Sequence, residues 1–73
     1  MTRNEMDGVV IEDAILLLLG LGPHSTDEML RAMNRLSHTE SMKVRRKLTV
    51  MHKENKVVLI KNYPKRWRLA DVK

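Results

Sequence analysis

The apolar positions recur with a helical period as far as residue 54 and alternate after it, which predicts three helices followed by a hairpin. The first helix is predicted at about Val9 to Leu19, with Asp7 as an N-cap at its positive end and Gly20 as its stop. Glu12 and Asp13 give it a wet side near the start. Ile15 to Leu19 is apolar all round, so at least one of Leu16 and Leu17 is left without a place in a single core.

Gly22-Pro23-His24 reads as a connector, and Ser25-Thr26-Asp27-Glu28 matches a capping box, in which hydroxyl and carboxylate satisfy each other's backbone donors. The second helix is predicted from there to about Arg35. Met29, Leu30 and Met33 share one face, while Asp27, Arg31, Asn34 and Arg35 face water. Ser37 and Thr39 are both able to cap a third helix, predicted from about Glu40 to Glu54. Val44, Leu48 and Met51 form its buried stripe, Met42, Arg46, Thr49 and Lys53 its far side, and Lys43, Arg45 and Val50 flank that far side. Asn55 suits the left-handed position that ends many helices. Val57 to Ile60 and Arg66 to Leu69 then read as two strands of an antiparallel hairpin with a polar tip at Asn62-Tyr63-Pro64-Lys65. An isolated hairpin is marginal in water, so this one is expected to pack through Trp67 and Leu69.

Composition narrows what such a chain does. Its 73 residues make one small domain, expected at 9–70, with a flexible arm at 1–8 and a tail at 71–73. There is no cysteine, so neither a disulfide nor a thiolate zinc site holds it together, and Trp67 and Tyr63 are the only aromatic residues. Trp67 is therefore expected in the core, with Met29, Met33 and Met51 filling gaps. Tyr63 is expected to cover Pro64 at the hairpin tip. The apolar run from Ala14 to Leu21 is shorter than the roughly 20 residues that span a bilayer, and acidic residues precede it where a signal peptide carries positive charge. The chain is expected to work in the cytoplasm, without a membrane partner.

Charge is distributed unevenly. Residues 1–41 carry three cationic side chains against seven acidic ones, or −4, and residues 42–73 carry eleven against two, or +9. A polyanionic partner is the natural expectation, and a merely solvated basic face is the bland alternative. His24, His38 and His52 have no metal-ligand spacing, and no nucleophile stands beside a base. Capping accounts for Ser25, Ser37 and Thr39, so neither an enzyme nor a cofactor or metal site is expected.

The order helix, capped helix, tight turn, basic helix, hairpin resembles the winged helix-turn-helix domains of bacterial and phage transcriptional regulators over about residues 9 to 70. The stretch from Val44-Arg45-Arg46-Lys47-Leu48 to Met51, followed by Asn55 and the strand at Val57, resembles that family's recognition-helix exit, with Met51 in place of a leucine and Asn55 in place of a glycine. Thr26-Asp27-Glu28-Met29-Leu30 resembles the start of its second helix, and Trp67-Arg68-Leu69 the returning strand of its wing. The resemblance implies an α+β, mostly α fold with three helices and a C-terminal β-hairpin wing. It also implies binding of double-stranded DNA, with the third helix in the major groove and the wing against the backbone. The implied groove set is Met42, Lys43, Arg45, Arg46, Thr49 and Lys53, and the wing set is Lys61, Asn62, Lys65 and Arg66. One such module makes a modest DNA interface, so a homodimer or a partner protein is expected at the first helix, near Leu16 and Leu17. The alternative function is a protein-interaction winged helix, phage-associated or tied to replication or transcription, that docks its basic face on an acidic protein.

Overall fold

The computed structural model describes residues 3–62 and 64–70, with side chains from Met6 onward; Tyr63 and the tail at 71–73 lie outside the described residues. Three helices, α1 (Arg3–Leu21), α2 (Thr26–Ala32) and α3 (His38–Lys53), precede two strands, β1 (Val57–Ile60) and β2 (Arg66–Leu69). The strands pair antiparallel with Val57 opposite Leu69 and Ile60 opposite Arg66. This is an α+β, mostly helical fold with the layout of a winged helix-turn-helix.

The core is aliphatic. Ile11, Ile15 and Leu19 recur every four residues along one side of α1 and meet Met29 and Leu30 of α2, Val44, Leu48 and Met51 of α3, and Val57 of β1. All three residues of the predicted α3 stripe are at most 1% exposed. Leu16, Leu18, Met33, Trp67 and Leu69 pack around the edge of this cluster, half-buried.

Helix ends show where local chemistry decides and where it does not. The capping box at α2 forms as predicted: the Ser25 hydroxyl accepts from the Glu28 amide at 3.1 Å and the Ser25 amide donates to the Glu28 carboxylate at 2.8 Å. At α3, Ser37 rather than Thr39 is the N-cap, accepting from the Glu40 amide at 3.2 Å, and the helix starts at His38, two residues before the predicted Glu40. Its C-terminal end is as expected, with Asn55 at φ 62°. The amides of Asn55 and Lys56 return to the carbonyls of His52 and Met51, the Schellman pattern.

The second helix is shorter than the predicted span to Arg35. It ends at Ala32 because Asn34, at φ 56°, takes the left-handed conformation, and the amides of Asn34 and Arg35 close a second Schellman motif on Arg31 and Leu30. The first helix is longer than the predicted Val9 to Leu19. Residues 3–8, expected as an arm, are its opening turns, and Asp7 is not an N-cap. Its carboxylate accepts from Lys43 at 3.1 Å, and a methyl group at Gly8 would come within 3.6 Å of the Lys47 ammonium. Contact with α3 thus extends α1 past its local signals. Gly20 lies inside the helix, and the chain leaves it at Gly22, whose φ of +147° suits glycine.

One pairing was not predicted. His24, in the connector, exchanges both backbone hydrogen bonds with Trp67, at 3.0 and 2.7 Å, and so lies against β2 on the edge not occupied by β1. This bridge ties the start of α2 to the hairpin. The Trp67 indole N–H donates to the Thr26 hydroxyl at 3.0 Å, and His52 meets the ring edge-on with centroids 5.7 Å apart. Trp67 is half-buried at the core's edge, where it joins α2, α3 and the hairpin.

Candidate nucleic-acid interface

With Val44, Leu48 and Met51 turned inward, helical geometry sends Met42, Arg46, Thr49 and Lys53 outward at spacings of four, three and four, and all four are exposed. The Thr49 hydroxyl donates to the Arg45 carbonyl at 3.1 Å, a bond within its own helix. Arg46 and Lys53 have no carboxylate partner among the described residues.

The flanking cations are engaged. Lys43 lies 3.1 Å from Asp7 and 3.8 Å from Glu40, so it is drawn toward α1. Arg45 is exposed but stands 3.8 Å from Asp27 of α2. Lys47, on the inner flank, is 3.8 Å from Glu12, which also takes Lys56 at 3.2 Å. Pairing with Glu12, and then with Glu54, raises the Lys56 pKa above the usual lysine range. Arg35 and Glu40 pair across the turn between α2 and α3 and brace the entry to the basic helix. The Ser25 amide at the capping box holds the Glu28 carboxyl below the usual carboxylate range, so that first turn keeps its charge further into acid.

Of the residues the sequence singled out on α3, the structure brings Met42, Lys43 and Arg46 together around a shallow depression near its start. His38 and Thr39 complete it. A helix predicted to begin at Glu40 does not include either of them. Once Ser37 is taken as the cap, residues three and four before Met42 share its face. At the hairpin, Lys61, Asn62, Lys65 and Arg66 are all exposed, as expected of a wing tip. Asn62 and Arg66 share a second depression with Pro23, Ile60 and Pro64. Arg68 differs from its neighbour Arg66: it is half-buried, with a guanidinium N–H donating to the Leu69 carbonyl at 3.1 Å.

Chemically the outer side of α3 offers one guanidinium, one ammonium, a hydroxyl and a thioether, and the hairpin adds three cations and an amide. The guanidinium, ammonium, hydroxyl and amide groups are able to donate hydrogen bonds, and the cations carry positive charge, while the thioether adds only apolar contact. Among the described residues no three His, Asp or Glu side chains gather as a metal-holding group, and no helix is long and apolar enough to cross a membrane. No protein-family model, no curated protein and no solved structure matches this chain.

Proposed function

We propose that this chain is a small DNA-binding protein of the transcription-regulator type, which places α3 in the major groove of a duplex and rests its hairpin on the backbone beside it. One observation carries the reading: Arg46, Lys53, Lys61, Lys65 and Arg66 make no ion pair among the described residues, Arg66 acting on Glu28 only at longer range, whereas Lys43, Arg45, Lys47 and Lys56 each make at least one. A basic surface that serves solubility alone has no need to sort its charges in this way. Unpaired cations gathered on one helix side and one hairpin, with exposed Arg31 of α2 as a further cation unpaired among the described residues outside them, are suited to neutralising phosphates, which releases counterions and drives association. Arg46 is the side chain best placed to read a base, since a guanidinium pairs with two guanine acceptors where the groove admits a helix.

The test is a fluorescence-polarisation titration with random-sequence duplex over a range of salt. If the five unpaired cations each meet a phosphate, the log of affinity falls against the log of salt with a slope of roughly −4 to −5. Micromolar protein that ignores duplex at low salt ends the DNA reading and returns the basic surface to an acidic protein partner.

A further inference from the structure

The first helix has a second apolar side that the core does not use. Met6, Val10, Leu17 and Leu21 are 56, 52, 71 and 79% exposed, and helical spacing stacks them in one stripe, turned away from Ile11, Ile15 and Leu19. Val10 and Leu17 also form, with Ala14, Leu18, Ala32, Met33 and the charged Arg35, the walls of a groove between α1 and α2. Leu16, the neighbour of Leu17, packs against the core and takes no part.

The stripe is a palindrome in position. Met6 stands as far before the midpoint between Asp13 and Ala14 as Leu21 stands after it, and Val10 as far before it as Leu17 after it. An isologous two-fold contact demands a patch complementary to itself. We propose that the chain pairs with a second copy of itself through this side of α1, the two helices antiparallel about an axis beside Asp13 and Ala14. Met6 then meets the partner's Leu21, Val10 meets the partner's Leu17, and Ala14 at the centre lets the backbones approach.

Charge permits the contact. Asp7 and Glu12 are turned to α3, where lysines neutralise them; Asp13 flanks the stripe, and Arg35, paired with Glu40, lines the groove beside it. The unpaired cations proposed for DNA belong to α3 and the hairpin and remain outside it. Size sets the strength. Each large aliphatic side chain carries ~60–120 Å² of apolar surface, so four that are half to four-fifths exposed offer ~150–300 Å² per copy. That is no more than the lower end of the largest apolar patch on a typical monomer, about 300 Å², and well below the roughly 800 Å² per partner of a standard complex. A reversible dimer with a dissociation constant of about tens of micromolar is expected, not an obligate one.

This inference stands without the DNA reading and is tested without DNA. Sedimentation equilibrium of the full chain from about 5 to about 200 µM is expected to show the mass rising from 8.5 kDa toward twice that value. Leu17→Glu, which places an unpaired charge in the contact, is expected to weaken association at least about tenfold with the helical circular dichroism unchanged. Register is read by cross-linking, since the chain has no cysteine of its own. With a short bis-maleimide, Met6→Cys and Leu21→Cys chains are expected to join when mixed and to stay single when apart. A single-chain mass up to the highest concentration overturns the proposal. So does undiminished association of Leu17→Glu, or Met6→Cys linking to itself.

Discussion

Lys43 and Lys47 on the inner flanks of α3 lie beside carboxylates of α1, while Arg46 and Lys53 on its outer side have no carboxylate partner among the described residues. The same contrast holds for the uncharged residues, since Leu48 is 1% exposed and its neighbour Thr49 stands in water. One helix therefore holds a structural side and a side with no structural duty, one residue apart in sequence. Basic composition alone does not separate them. A lysine that neutralises Asp7 contributes to the fold and is a poor candidate for a phosphate, although both uses call for the same residue type.

The largest expected difference between the two sides is in stability. Leu48→Ala empties a fully buried site and is expected to cost about 2 to 5 kcal/mol, comparable with the ~3 to 5 kcal/mol that a core of this size supplies. Urea unfolding at 25 °C should find that variant largely unfolded. Thr49→Ala removes only an exposed hydroxyl bonded within its own helix and is expected to change stability by less than about 0.5 kcal/mol. Equal costs at the two positions would mean that something covers the outer side in solution.

Duplex affinity is expected to divide the same helix the other way. The double reversal Arg46→Glu with Lys53→Glu should lower affinity at least about 100-fold at low salt and reduce the salt slope by about 2, while the melting temperature holds. Lys43→Gln with Lys47→Gln should lower the melting temperature and change affinity by less than about threefold, because both cations are already neutralised. An inverted result, with the inner pair dominating affinity, would show that Asp7 and Glu12 give up their lysines to DNA.

Much of this division was legible in the chain itself, for a definable reason. The period of Val44, Leu48 and Met51 fixes which way Met42, Arg46, Thr49 and Lys53 point, and the capping box at Ser25 and the left-handed Asn55 act within one turn of themselves. Signals that depend on distant partners were not legible. Asp7 reads as a cap until Lys43, 36 residues away, is seen to hold it inside the helix. Asn34 reads as a wet helical residue because the choice between helix and left-handed stop rests on whether the following amides find carbonyls to close on. His24 reads as loop because its partner is Trp67. For the same reason the sequence locates the cations on α3 but not the acids that occupy Lys43 and Arg45, since Asp7 and Asp27 come from two other helices.

Glu12 offers the finest probe, because its single carboxylate serves both Lys47 and Lys56. These pairs lie at the surface, with Glu12 and Lys47 half-buried and Lys56 exposed, so Glu12→Gln is expected to lower the melting temperature by no more than about 4 °C at low salt, and by less as salt rises. Alkali supplies a second signature. The Lys56 pKa is raised by Glu12, so the pair's contribution is fully present below the ordinary lysine range and is lost as pH climbs through the raised value. The gap in melting temperature between the natural chain and Glu12→Gln should accordingly be constant near neutrality and close in strong alkali. At physiological salt, where charges more than ~8 Å apart are screened, removing this carboxylate is expected to leave duplex affinity within about twofold. A larger gain would place Lys47 and Lys56 within reach of phosphate, and the two sides of α3 would then differ in degree instead of in kind.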